Sequence, residues 1–157
     1  MPGFTPPPPA LYTPNPVKLY PPPPTEAPAK WCSSGITDWT FGSWAELVPA
    51  NTIPNDFIVV GVIVIIAESF LTRFFSFEVG KGDAGQEEPI FPLHDYFEYW
   101  ASAAPDYGRM SYYYGRTYLA PTPIKVPANT RIAIRACDDA GKATDYIARI
   151  LYIELPL

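Results

Sequence analysis

Proline is concentrated at one end of this chain, and that distribution limits the fold more than any other feature. Twelve of the 21 prolines lie in residues 1–30, where they include two tetraproline blocks at residues 6–9 and 21–24. Because proline fixes φ and has no amide hydrogen to donate, this stretch is predicted to form neither a helix nor a central strand. We expect an extended polyproline II arm that rises about 3.1 Å per residue and spans up to ~90 Å.

The rest of the chain, residues 31–157, has the length and apolar content of one globular domain. The arm has a net charge of +1, which leaves −6 on the domain and −5 on the whole chain. An acidic domain with scattered basic residues lacks the positive surface that nucleic acid requires. The predicted organisation is therefore an arm over residues 1–30 and one domain over residues 31–157, with no nucleic-acid partner.

The domain sequence indicates short strands separated by turns, which predicts an all-β fold. The predicted strands cover residues 43–48, 57–67, 72–79, 112–119, 131–136 and 146–155. The second of these is expected to be buried on both sides, and the third to place Arg73, Phe75, Phe77 and Val79 on one face. Only residues 93–104 have a helical spacing. Strands at these intervals predict an antiparallel β-sandwich that is jelly-roll-like.

The pentapeptide Val-Pro-Ala-Asn-Thr occurs twice, at residues 48–52 and 126–130, each time before an apolar strand. Proline favours the first position of a turn and asparagine tolerates the left-handed region, so each copy predicts a tight reversal. The two copies either occupy matching corners of two Greek keys or represent one good turn that is used twice.

The longest apolar run, residues 57–67, has 11 residues and is too short to span a bilayer. No secretory signal precedes it, so synthesis in the cytoplasm is expected. The two cysteines, Cys32 and Cys137, are too few for a disulfide framework or a metal quartet. We expect free thiols, although one bridge between the two remains an alternative.

Motifs that suggest catalysis or metal binding have simpler explanations in this sequence. Residues 80–85 read G-x-G-x-x-G, but Pro89 follows where a dinucleotide site needs a helix, so a hairpin loop is expected. His94 is the only histidine and no nucleophile elbow accompanies it. The remaining candidates are carboxylates that could bind Ca²⁺ or form a glycosidase pair, and solvated turns explain them better. They are Asp83, Glu87, Glu88, Asp95, Glu98, Asp106, Asp138 and Asp139. No catalytic residue, metal or cofactor is predicted.

Tyrosine is abundant, with eleven residues, three of them consecutive at positions 112–114. Because neighbouring strand residues point to opposite faces, Tyr113 is expected on the other face from its two neighbours. Tyr107, Tyr113 and Tyr118 are the candidate surface aromatics, which suit protein interfaces or stacking on sugars. Ordinary packing inside the sandwich is the alternative.

The order of the motifs is informative as well. Trp-Ala-Glu-Leu-Val at residues 44–48 is followed by the valine-rich strand, then by residues 77–87, and much later by residues 124–135. Over residues 43–155 this order resembles small β-sandwich virion proteins of tailed bacteriophages, which decorate capsids or form head and tail fibres. The resemblance implies a structural protein without enzymatic activity, located on the outer capsid surface of the virion.

A decoration or cement protein is the function we expect, with the arm anchoring it to neighbouring subunits. The residues expected to make arm contacts are Phe4, Pro6, Pro9, Leu11, Tyr12, Leu19, Tyr20, Pro21 and Pro24. The expected partners are the major capsid protein or other virion subunits, and copies of the chain itself, as a trimer. One alternative is a fibre or tail adsorption module that binds host glycan through exposed tyrosines. The other is a polysaccharide hydrolase.

Overall fold

The computed structural model describes residues 15–21, 30–66, 73–99, 116–139, 141–143 and 145–156. Over these ranges the chain forms β-strands and no helix. The strands are β1 Lys18–Tyr20, β2 Lys30–Ser33, β3 Ala45–Val48, β4 Phe57–Ile66, β5 Arg73–Lys81, β6 Glu88–Tyr99, β7 Arg116–Val126, β8 Ile132–Asp138 and β9 Asp145–Glu154.

Two antiparallel sheets contain all nine strands. In the first sheet β9 pairs with β4, β4 pairs with β7, and both β1 and β2 pair with the free side of β9. The second sheet has the order β3-β8-β5-β6. One cluster of buried apolar residues draws on both sheets, as in a β-sandwich. The prediction of an all-β domain with two packed sheets is confirmed.

Aromatic rings from both sheets meet in this core. Phe75 and Phe77 of β5 point inward, as their alternation predicts, and their rings pack against those of Tyr146 and Tyr118 on the first sheet. The Phe77 and Tyr118 ring centroids are 5.0 Å apart. Tyr118 is only 6% exposed. Its prediction as a surface aromatic is therefore wrong, because the β4–β7 register pairs it with the buried Val62.

The outer face of the first sheet is less buried than the sequence indicates. On β4, Val59, Val62 and Val64 are buried, whereas Ile58 and Ile63 are partly exposed, so this strand is not buried on both sides. On β9 the residues that face the core share even numbers and follow the period of two. They are Tyr146, Ala148, Ile150 and Tyr152. The apolar residues at the odd-numbered positions 147, 151, 153 and 155 are only half-buried.

The helical spacing at residues 93–104 does not produce a helix where the structure describes it. Residues 93–99 belong to β6, and residues 100–104 lie outside the described ranges. In the pairing with β5, Leu93 is opposite Phe77 and Phe97 is opposite Phe75. A bulge therefore places four residues of β6 opposite two of β5. Because of this bulge, Leu93 and Phe97 are four residues apart, as in a helix, although both lie in one strand.

Part of the proline-rich region belongs to the first sheet. Lys18 of β1 pairs with Tyr152 and Tyr20 with Ile150, while Lys30 of β2 pairs with Ala148. β1 and β2 thus lie one after the other along the same edge of β9. An extended polyproline II arm does not describe residues 18–20. Residues 1–14 and 22–29 lie outside the described ranges.

Candidate binding surface

The two Val-Pro-Ala-Asn-Thr turns meet at one end of the sandwich, which we call the turn end (residues 49–56 and 127–130). Asn51 and Asn129 both have left-handed backbones, with φ of 62° and 61°. The Asn51 amide donates to the Asn129 carbonyl at 3.0 Å, and the Asn129 amide donates to the Ile53 carbonyl at 2.8 Å. The prediction of tight reversals with left-handed asparagines is confirmed, and the two turns also bond to each other.

Asp56 closes the turn end. Its Oδ1 accepts the Ala128 amide at 3.0 Å, and its Oδ2 lies 3.1 Å from Lys125 Nζ. Its carbonyl accepts the Leu155 amide at 2.8 Å. The Ala128 hydrogen bond, followed by that of Lys125, lowers the pKa of the Asp56 carboxyl below its usual value. One ionised carboxylate therefore joins the second turn to β4, while its backbone holds the end of β9.

The proline-rich segment is held against the same end of β9. Asn15 Nδ2 donates to the Glu154 carbonyl at 2.6 Å, and Lys18 Nζ lies 2.9 Å from Glu154 Oε1. The hydrogen bond with Glu154 raises the pKa of Lys18. The Arg149 guanidinium donates to the Pro21 carbonyl at 2.6 Å. These contacts are all made within one chain.

Of the arm residues predicted to contact partners, three lie in the described ranges. Tyr20 packs against the core, Pro21 is buried, and Leu19 is half-buried. Tyr20 and Pro21 thus serve their own domain. The other predicted contacts lie outside the described residues, as do two of the candidate surface tyrosines. They are Phe4, Pro6, Pro9, Leu11, Tyr12, Pro24, Tyr107 and Tyr113.

At the opposite end, the 34–44 loop connects β2 to β3. The loop folds back on itself, since the Gly35 amide donates to the Thr40 carbonyl at 2.8 Å. It is also tied to β8, because the Trp39 amide donates to the Asp138 carbonyl at 2.6 Å and the Gly42 amide to the Ala136 carbonyl at 2.9 Å. The second sheet therefore fixes the position of the loop.

Asp138 joins the loop to the core. Its side chain is buried, and its Oδ2 accepts a hydrogen bond of 2.6 Å from the hydroxyl of the buried Tyr146 on the opposite sheet. The next residue, Asp139, exchanges hydrogen bonds with the backbone of Phe74 at the start of β5. The loop, the end of β8 and the start of β5 thus form one connected unit, which we call the loop end.

Large apolar side chains are exposed at the loop end. Ile36 is 77% exposed, Trp39 42% and Phe74 39%. Exposed apolar groups in one region, surrounded by polar residues, are typical of interaction sites. The Trp39 backbone has a left-handed φ of 57°, which is uncommon for a bulky residue. The structure therefore presents this indole from a fixed turn.

A groove open to solvent follows the same loop. It has a volume of about 580 Å³ and is lined by Cys32–Ser33 of β2 and by residues 34–36 and 40–45. Phe41 and Trp44 are the large aromatic residues of its wall, and among the residues that the structure describes no charged one lines it. The chemistry of the groove is thus apolar and aromatic, with hydroxyl groups and backbone at its margin.

Arg135 fixes the aromatic wall. Its guanidinium lies 4.7 Å from the Phe41 ring centroid and 4.5 Å from that of Trp44, which are cation–π distances. Arg135 Nε also donates to Glu78 Oε2 at 2.6 Å. A Cβ at Gly80 would lie 2.9 Å from Trp44 Cη2, so the missing side chain makes room for the indole. Both rings are therefore positioned before any partner arrives.

The glycine motif at residues 80–85 forms the hairpin between β5 and β6, as predicted. Gly82 and Gly85 have φ of 117° and 84°, and a strand follows where a dinucleotide site has a helix. Glu87 accepts from Arg131 Nη1 and from the Gly85 amide, both at 2.9 Å. Burial opposes its ionisation, but hydrogen bonds from its own backbone, from Arg131 and from Gly85 outweigh burial and lower the pKa of the Glu87 carboxyl.

Other candidates from the sequence are dispersed. Glu88 lies 3.4 Å from Lys81. His94, Asp95 and Glu98 are on β6, in a part for which the structure describes the backbone only, and Asp106 lies outside the described ranges. Within those ranges no three His, Cys, Asp or Glu residues are grouped as metal ligands would be. No helix of the described chain is long and apolar enough to cross a membrane.

Cys32 and Cys137 are both buried and unbridged, as expected. Burial, with a smaller contribution from Asp145, raises the pKa of the Cys32 thiol to about 12. This thiol therefore stays protonated and is a poor nucleophile at neutral pH.

Sequence reasoning missed the residues that build the loop end, chiefly Ile36, Trp39, Phe41 and Arg135. One signal was available: two aromatic residues lie between Gly35 and Gly42, in a stretch of turn-forming composition where buried strands are not expected. Comparison with known proteins gives no further guidance, since no protein-family model, curated protein or solved structure matches the chain.

Proposed function

We propose that this protein is a non-enzymatic structural subunit of a virus particle, a capsid decoration protein with a jelly-roll domain. One observation carries the proposal: the strands form four nested antiparallel pairs. β2 pairs with β9, β3 with β8, β4 with β7 and β5 with β6. A jelly roll has this arrangement, with two Greek keys in two facing sheets, and it is common in viral capsid and lectin domains.

The surface chemistry favours binding over catalysis. The Asp56, Glu78 and Glu87 carboxylates are engaged by lysine, arginine or backbone donors. The aromatic groove of the 34–44 loop is a concave surface open to solvent, and none of the described residues that line it is charged. An apolar, preorganised surface of this kind suits contact with another protein. The resemblance over residues 43–155 to phage virion proteins supports a particle as the setting.

The proposal is tested on the particles produced by cells that carry this gene. Antibodies against the purified protein are expected to label the outer surface of intact particles, as seen by electron microscopy. Label that appears only after particles are disrupted, or only in the soluble fraction, would contradict a role on the capsid surface.

A matched pair of variants locates the contact. Trp39→Ala removes an exposed apolar side chain of the loop end, whereas Leu119→Ser removes an exposed apolar side chain of the first sheet, where Leu119 is 68% exposed. We expect fewer copies per particle for Trp39→Ala and normal copy number for Leu119→Ser. Equal incorporation of the two variants would exclude the loop end as the attachment surface.

A second candidate function is glycan binding, the adsorption module considered from the sequence. With Tyr118 buried, the residue that favours it is Trp39, whose indole is exposed, which follows Asp38 in the sequence and whose amide bonds to the carbonyl of Asp138, the neighbour of Asp139. An aromatic platform beside carboxylates suits stacking on sugar rings with hydrogen bonds to hydroxyl groups. Binding on a glycan array that Trp39→Ala abolishes would favour this candidate, and a silent array would exclude it.

A further inference from the structure

The groove of the 34–44 loop has the chemistry of a polyproline site. Pro-rich segments in polyproline II conformation bind grooves lined by aromatic rings, where the flat pyrrolidine faces pack between the rings. Phe41 and Trp44 are held in place by Arg135, and the exposed indole of Trp39 belongs to the same loop. The occupant that fits such a surface is uncharged and rich in proline.

This chain contains such a segment. Residues 1–14 have no charged side chain and include one tetraproline block, together with Phe4, Leu11 and Tyr12. In polyproline II conformation, fourteen residues reach about 43 Å. Each copy of the chain carries a net charge of −5, so copies repel each other. Because neither the segment nor the groove carries a charged side chain, a contact between them adds nothing to this repulsion.

The positions of the two features indicate which copy supplies the segment. Asn15 is held at Glu154, the turn end of β9, whereas the groove is lined by Cys32 and Ser33, of which Ser33 pairs with Asp145 at the other end of β9. At about 3.3 Å per residue, these two ends of β9 are about 30 Å apart. β1 runs from the turn end toward the groove, so Asn15, from which residues 1–14 extend, lies at the end of the sandwich opposite the groove.

We infer that residues 1–14 of one copy bind in the aromatic groove of a second copy. The contact is head to tail: residues 1–14, which join the sandwich at the turn end of one copy, bind at the loop end of the next. Such heterologous contacts build rings or open chains instead of closed pairs. The inference deepens the proposed function by naming one partner of the groove, and the contact itself requires no other particle component.

The test uses the full chain in analytical ultracentrifugation. An arm variant carries Pro6→Ser, Pro7→Ser, Pro8→Ser and Pro9→Ser, and a groove variant carries Ile36→Ser and Trp39→Ser, both at exposed positions. The wild type is expected to associate beyond a dimer as its concentration rises. Either variant alone is expected to associate at least about tenfold more weakly. Leu119→Ser is the matched control and should associate like the wild type.

Mixing the two variants gives the decisive result. The intact arm of the groove variant can enter the intact groove of the arm variant, but no second contact can form. We therefore expect the mixture to assemble into a 1:1 complex that stops at two chains. A synthetic peptide of residues 1–14 should dissociate the wild-type assembly by competing for the groove.

Two outcomes would overturn the inference. One is an arm variant that associates as strongly as the wild type. The other is a wild-type protein that stays monomeric at all concentrations, together with an arm variant whose tryptophan fluorescence differs from that of the wild type. That result would place the arm in the groove of its own chain. Both are read on purified protein. Failure here therefore leaves the particle-labelling result intact, and failure of particle labelling leaves this result intact.

Discussion

The two ends of the sandwich differ in how they meet solvent. At the turn end, two copies of one pentapeptide bond to each other, and Asp56 and Glu154 hold the neighbouring segments. At the loop end, the backbone is also tied, through Trp39 and Asp138, yet three large apolar side chains are exposed there. The hydrogen bonds of the turn end join backbone segments to one another, whereas those of the loop end also hold exposed apolar side chains in place.

A substitution in the core that joins the two ends should cause the largest loss of stability. Phe77→Ala removes a fully buried ring that packs on Tyr118 across the sandwich, so we expect a loss of about 3–5 kcal/mol in unfolding free energy. Urea denaturation measures it. Phe74→Ala on the same strand, at an exposed position, is the control and should cost less than about 1 kcal/mol. Similar losses for both would contradict the assignment of faces on β5.

A smaller effect, directed at the loop end, is expected from Tyr146→Phe. The buried Asp138 carboxylate loses the hydroxyl that donates to it across the sheets, at a cost of about 1–3 kcal/mol. Hydrogen exchange should accelerate at the Trp39 amide, which bonds to the Asp138 carbonyl, more than at Asn129. In a protein that already carries Asp138→Asn, Tyr146→Phe should lower the unfolding free energy by less than it does in the wild type. Equal acceleration at both ends would show that Asp138 does not serve the loop specifically.

At the turn end, the effect to test depends on pH. Because the folded pKa of Asp56 is lowered, its contribution to stability is present above the unfolded value and is lost as pH falls through the folded pKa. Asp56→Asn should therefore lower Tm near neutral pH, with a difference from the wild type that shrinks below about pH 4. Asp83→Asn in the exposed hairpin loop is the control. A difference that grows on acidification would contradict the role of the ionised carboxylate.

The smallest change in stability should come from Ile36→Ser. This side chain is 77% exposed, so its loss is expected to alter the unfolding free energy by no more than about 0.5 kcal/mol. Association in ultracentrifugation should nevertheless weaken, because the variant removes apolar surface beside the groove. A clear loss of stability without any loss of association would show that Ile36 supports the fold and not the contact between copies.

Local patterns predicted the features that depend on few residues. The alternation in residues 75–79 placed the right side chains inward, and the turn chemistry of asparagine predicted two left-handed residues, Asn51 and Asn129. Such features are set by backbone sterics and by the period of a strand. They need no knowledge of which strands pair.

Features that depend on pairing were not predictable from the sequence. The bulge in β6 imitates a helical spacing, and only its register against β5 reveals a strand. Tyr118 is buried because of its position opposite Val62. At the candidate site, Trp39 is presented by a hydrogen bond to a residue 99 positions away. The sequence also gave no sign that three residues between prolines, Lys18–Tyr20, complete a sheet.

The double coverage of β9 by β1 and β2 has a consequence for how copies of this protein can assemble. A sheet margin with free amides and carbonyls is a template on which a foreign strand can polymerise. Here two very short strands occupy that margin, each carries a lysine, and Pro21 ends the first of them without an amide to offer. Growth by strand addition is therefore discouraged along this margin, and association there is left to side chains.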